Sequence, residues 1–267
     1  MTPRKTLYII AYEHFSEHTS PSDFARIDRS LTTFSDLVAI ITKEMNVTCF
    51  FDDGLTHQNK TSSQNLLEGL AAIPREQAKG EYAGLASRHL RPSEFKLMYT
   101  LADARREGID INFCPTEVSY FNNNYLLLAA YAGLSPKEAK AMLKEMRRTG
   151  KLRMPEMELF AIPHLAQAVI GVRDGHILRN FRRYSSGQNI LGIGLAHKLE
   201  KLKREPGVDC YPIAIGDYDI SGNSVECRNI NVVCGTLPLP LQGQVKLYLT
   251  SSGIEDRIFY VSSRPKD

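Results

Sequence analysis

The chain has 267 residues, a length at which an α/β fold can remain one unit and bury a sizeable core unaided. Its 43% hydrophobic and 24% charged residues match ordinary globular proteins and exclude fibrous and disordered classes. The net charge of +3, from 33 basic and 30 acidic residues, is too small to mark a dedicated nucleic-acid or membrane-surface protein.

Thr6 to Tyr12 is a continuous β-prone run, as expected of a strand covered on both faces in a parallel sheet. Arg26 to Met45 then carries Ile27, Leu31, Phe34, Leu37, Val38, Ile41 and Met45 at the spacing of one helix face, with Ser22 or Asp23 as its cap. Val47 to Phe51 reads as the next strand, completing a βαβ unit.

Pro92 to Arg106 reads as a helix stopped by Gly108, and Ile109 to Phe113 as a strand. Residues 122–184 look wholly helical and are expected to cover a sheet face or to cap the site. Within them Ser135-Pro136 starts a helix over Lys137 to Arg148, and another runs from Ile162, with Pro163 in its first turn, to Tyr184. The latter carries Leu165, Val169, Val172, Ile177, Leu178 and Phe181 on more than one stripe, which predicts substantial burial.

Asn189 to Ile193 then reads as a core strand, His197 to Arg204 as a helix and Cys210 to Ile215 as another strand. Short β-like runs at Val245 to Leu249 and Ile258 to Val261 suggest edge strands that finish the sheet. The fold class expected is α/β: one domain over 1–267, with a mostly parallel central sheet, helices on both faces and a helical cap at about 122–184.

No apolar run nears the roughly 20 residues that span a bilayer, and Met1 to Lys5 lead directly into a strand. The expectation is a soluble chain with no membrane span, cytoplasmic or exported without a standard signal peptide. Cys49, Cys114, Cys210, Cys227 and Cys234 form no CxxC pair. The first three lie in apolar or strand-like runs and read as reduced thiols acting as small hydrophobes.

Chemistry concentrates at two turns, Ala11-Tyr12-Glu13-His14 and Gly194-Leu195-Ala196-His197, each directly following a core strand. Ligands of open α/β sheets bind beyond the carboxyl ends of strands, so two such histidines can converge on one cavity. There an imidazole can serve as general base, proton shuttle or metal ligand. Glu13, Glu17 and His18 make the first turn rich in groups that suit a divalent ion, although His18-Thr19-Ser20 reads equally as a polar loop.

Asp52 and Asp53 end the second strand on the same edge, and one of them can reach the cavity, unless Asp53-Gly54 is a plain turn. Arg173 and His176 lie one turn apart on the long helix expected to be buried. Arg173 is either an oxyanion or carboxylate clamp, or the partner of Asp174 or another acid. Arg179, Arg182 and Arg183 read as a solvated helix end.

These motifs resemble a superfamily that contains Tiki metalloproteases, ChaN-like haem-uptake proteins, TraB-like proteins and erythromycin esterases, whose members share two GxxH-type turns after core strands. Gly194-Leu195-Ala196-His197 matches that pattern in full. Ala11-Tyr12-Glu13-His14 is similar, with Ala for Gly and with Glu at 13, where the family commonly has it directly after the Gly. Val172 to His176 looks like the arginine-bearing helix that precedes the second turn, and the resemblance spans residues 5 to about 216.

The resemblance implies a hydrolase of an ester or amide bond, acting on a small molecule or peptide. Glu13 would orient His14, which takes a proton from water directly or through a divalent ion (Mn, Co or Zn) held by His14, His18 and His197. Arg173 would stabilise the oxyanion, while Tyr12, Asp53 and His176 would contact substrate. The alternative is a module with a degenerate site that binds haem, another small molecule or a protein partner without turnover. Nucleic-acid binding through Lys137 to Arg153 is disfavoured, because no aromatic platform interleaves the charges.

Overall fold

The computed structural model describes residues 4–13, 21–53, 55, 60–78, 80, 92–116, 163–194, 197, 199–216, 219–221, 224–226, 248–251 and 257–262, with isolated positions between 135 and 148. Strand β1 (Lys5–Tyr12) is apolar on both sides of its pleat. Tyr8, Ile10 and Tyr12 enter one core layer, and Leu7, Ile9 and Ala11 the other. This two-faced burial is what the uninterrupted apolar run predicts.

Helix α1 (Phe24–Met45) lays Ile27, Leu31, Phe34, Leu37, Val38 and Ile41 on the first layer. It ends at Asn46, in the left-handed region at φ 53°, whose N–H bonds back to the Thr42 carbonyl. Asp23 stands at the N-cap but makes no side-chain cap bond: its carboxylate takes a 2.9 Å hydrogen bond from Arg26. The expected side-chain cap from Asp23 is therefore replaced by an ion pair.

Strand β2 (Cys49–Asp52) is followed by α2 (Lys60–Ala72), which the sequence reading left out, and by α3 (Pro92–Arg106), which packs against both α1 and α2. Gly108, at φ 91°, turns the chain toward β3 (Asn112–Cys114). Helix α4 (Pro163–Tyr184) then covers the opposite face of the sheet through Ile177, Leu178 and Phe181. Arg179, Arg182 and Arg183 stay exposed, as expected of a solvated helix end. The proposed helix over Lys137 to Arg148 and most of the cap region lie outside the described residues.

Strand β4 (Gln188–Gly194) leads to α5 (Glu200–Lys203) and β5 (Val208–Gly216). The helix expected from His197 to Arg204 shrinks to that one turn, because Leu199 adopts a left-handed conformation at φ 51°. A small hairpin follows, β6 (Asp219–Ser221) with β7 (Ser224–Glu226), and then β8 (Tyr248–Ser251) and β9 (Arg257–Ser262).

The main sheet has the order β3-β2-β4-β1-β5-β9-β8; β8 pairs antiparallel with β9 and every other pairing is parallel. Helices cover both faces, giving the α/β class expected. From β1 the chain passes along the α1 face to β2, and from β4 it passes along the α5 face to β5 on the other side. The β4–β1 boundary is thus a topological switch, the position at which open α/β sheets bind their ligands beyond the carboxyl ends of the strands.

Candidate functional site at the carboxyl edge

Parallel pairing fixes which strand ends lie together. Tyr12 is opposite Gly194, and Asp52 is opposite Gly192, so the ends of β1, β4 and β2 lie side by side. The two histidine turns therefore leave neighbouring strands on the same edge. His14 and His18 lie outside the described residues.

His197 is buried, 4% exposed, and its Nδ1 lies 2.5 Å from Asp174 Oδ1. The other carboxylate oxygen of Asp174 accepts the backbone N–H of Leu199 at 3.0 Å. The left-handed turn at Leu199 thus gives that carboxylate a second anchor, and the His197 N–H bonds back to the Gly194 carbonyl at 3.2 Å. With Nδ1 engaged by an acid, Nε2 is the ring nitrogen outside that contact.

Arg173, the residue before Asp174 on α4, takes a different partner. Its guanidinium pairs with Asp53 Oδ1 at 2.6 Å, with side-chain exposures of 17% and 10%. Asp53 Oδ2 accepts the N–H of Gly194 at 3.4 Å, and the Asp53 N–H bonds to the Gly192 carbonyl at 2.9 Å. Asp53 therefore bridges the end of β2 to the end of β4 and to α4. Of the two partners considered for Arg173, the other acid applies, and Asp174 serves His197 instead.

Tyr12 is 5% exposed; its ring stacks on Phe34 at 4.1 Å between centroids and its hydroxyl donates to Asp52 Oδ1 at 3.1 Å. Asp52 also takes the Asp53 N–H at 3.0 Å. Gly192 is required at this crossing: a Cβ there would lie 2.6 Å from Phe34 Cζ and 2.7 Å from Asp52 Oδ1. Glu13 accepts from Arg26 of α1, and its backbone N–H donates to the buried Ser30 hydroxyl at 3.1 Å.

His176 is half-buried and contacts Arg179, whose guanidinium lies 2.7 Å from Nδ1. Burial first, and then that charge, hold the imidazole below its ordinary pKa, so it is neutral at pH 7. No described contact joins it to Asp53 or His197. Among the described residues, no group of three His, Cys, Asp or Glu side chains gathers to hold a metal ion.

Two participants lie beyond the residues that the sequence singles out for the site. Asp174 reads there only as a partner for Arg173. Thr116, fully buried after β3, donates to the Leu55 carbonyl at 3.1 Å and to the Asp52 carbonyl, while its own carbonyl takes Asn180 of α4 at 3.1 Å. A lone Thr after a Pro carries no sequence signal for such a tie. Asp174, by contrast, was accessible through its place in Val172 to His176.

No protein-family model and no curated protein matches the chain. Two solved structures are similar to it. The type III effector HopBA1 is 12% identical with a TM-score of 0.40, over 97% of this chain and 88% of that one. ChaN of Campylobacter jejuni, a protein with cofacial haem binding, is 10% identical with a TM-score of 0.44, over 80% and 83%. Among the described residues no helix is long and apolar enough to cross a membrane.

Proposed function

We propose that the carboxyl edge is an acid–base site that hydrolyses an ester or amide bond, with His197 as general base and Asp174 as the residue that orients it. The single observation carrying this reading is the 2.5 Å Asp174–His197 contact, made with a buried imidazole by a carboxylate fixed through its second oxygen. An acid on Nδ1 selects the tautomer with Nε2 unprotonated and stabilises the imidazolium formed when Nε2 takes a proton. Water attacking a carbonyl would surrender its proton there, and the tetrahedral intermediate would recover it at the leaving group.

Arg173, held by Asp53, supplies positive charge at the same edge for the developing oxyanion. The sequence puts a second imidazole, His14, two positions beyond the end of β1, the strand next to β4. On this reading the protein is a distant relative of the Tiki and erythromycin-esterase-like group. The chemistry above draws on protein groups alone.

The second reading, a pocket that binds haem or another small molecule without turnover, is favoured by one observation. The charges of Arg173 and Glu13 are already paired with Asp53 and Arg26. A screen of activated esters and short peptides, run in chelator and again with Mn, Co or Zn, separates the two. The hydrolase reading expects turnover by wild-type protein and a loss of roughly a hundredfold or more in His197→Ala. No turnover under any condition would leave the binding reading.

A further inference from the structure

On the α4 face of the sheet, away from the histidine turns, two thiols stand on adjacent strands. Cys49 opens β2 and is opposite Asn112; Cys114 ends β3 and is opposite Phe51. They are diagonal neighbours on one face, and both belong to the core layer beneath α4. A cleft of about 420 Å³ opens on both, lined also by Lys60, Thr61 and Gln64 of α2 and by Tyr184 and Ser186. The sequence reading took both cysteines for inert small hydrophobes.

We propose that Cys49 and Cys114 form a peroxide-reactive dithiol, in which Cys49 is the attacking sulfur and Cys114 the resolving one. The surroundings of the two sulfurs differ in the required sense. Cys49 Sγ lies 3.3 Å from the Ser186 hydroxyl, and hydrogen bonding from Cys114 first, then from Ser186 and Thr48, lowers its pKa to about 6 against the opposing effect of burial. The Tyr184 carbonyl, 3.5 Å away, is the one described neighbour that favours the thiol. Cys114 is pushed far the other way by its bond to Cys49 and by burial, with Lys60 only partly offsetting this.

The chemistry balances with a hydroperoxide as oxidant. The Cys49 thiolate attacks the distal peroxide oxygen, the O–O bond breaks, and an alcohol or water leaves with the Cys49 proton. Cys49 becomes a sulfenic acid, oxidised by two electrons. The Cys114 sulfur then attacks the Cys49 sulfur, the S–O bond breaks, and water departs with the Cys114 proton, leaving a Cys49–Cys114 disulfide. One strand over and two residues along is a Cα separation of about 8 Å. Disulfides span roughly 4.4–6.8 Å, so β3 must shift by an ångström or two. It is a three-residue edge strand, bounded on its outer side by Gln64, which accepts the Phe113 N–H at 2.9 Å.

The hydrogen bonds that lower the Cys49 pKa favour its thiolate, so its oxidation should lead. The test is a time course of wild-type protein with hydrogen peroxide, read by non-reducing peptide mapping. The expected result is a Cys49–Cys114 linked peptide, with Cys49 leading Cys210 and the other cysteines. In Cys114→Ser, a sulfenic acid at Cys49 should accumulate and be trapped by dimedone. Oxidation of Cys49 no faster than of the others, or a Cys49 sulfenic acid in wild-type protein that never links to Cys114, would overturn the proposal.

Discussion

Arg173 and Asp53 are exposed by only 17% and 10%, so their 2.6 Å ion pair is largely shielded from water. Asp53→Ala and Arg173→Met each remove that pairing, and each should cost about 1–3 kcal/mol of stability. The double variant should cost clearly less than the sum, a non-additivity readable by denaturant unfolding of the four proteins. Additive costs would mean the pair is not coupled. Gly192→Ala should cost about 1–3 kcal/mol by overpacking, since the new methyl meets Phe34 and Asp52 at once; an unchanged unfolding midpoint would count against that crossing. These side chains were partly legible in the sequence. Arg173, Asp53 and His197 announce themselves as charged or imidazole groups beside apolar runs. The partner of each was not legible, because consecutive helix residues diverge by about 100°, sending Asp174 to His197 and Arg173 to Asp53.

Elements differ in how plainly the sequence declares them. Helix α3 agrees with its expected bounds and α4 starts one residue later than expected, because proline and glycine punctuate their ends. Helix α2 carries Leu66, Leu67, Leu70 and Ala71 at helical spacing but follows a turn-rich stretch without a clear cap, and it went unread. The turn at Leu199 was read as helix, since nothing in a leucine foretells a positive φ. Gln64 shows what α2 contributes: it serves the edge strand β3 as a substitute neighbour, accepting the Phe113 N–H at 2.9 Å. Gln64→Ala should remove that bond at about 1 kcal/mol and speed amide exchange at Phe113 with little change in β4. Equal protection of Phe113 in both proteins would show that the contact does not hold the edge.

Across the whole molecule, the α/β class was legible from strands alternating with helices, but the strand order was not. Inserting β4 between β1 and β2 joins segments more than 130 residues apart, and no local pattern encodes that. The insertion is nevertheless what brings the second histidine turn beside the first and Asp53 within reach of Gly194. The proposed acid–base hydrolysis through an imidazole oriented by Asp174 stands or falls with the hydrolytic rate of Asp174→Asn against wild type, with thermal unfolding measured on the same samples. An amide of the same shape can still fill the space and accept a bond, but it neither selects the reactive tautomer nor stabilises the imidazolium. The predicted result is a rate lower by roughly a hundredfold to ten-thousandfold with the unfolding midpoint nearly unchanged. A lowered midpoint with an unchanged rate would contradict it and make the Asp174–His197 contact a structural brace.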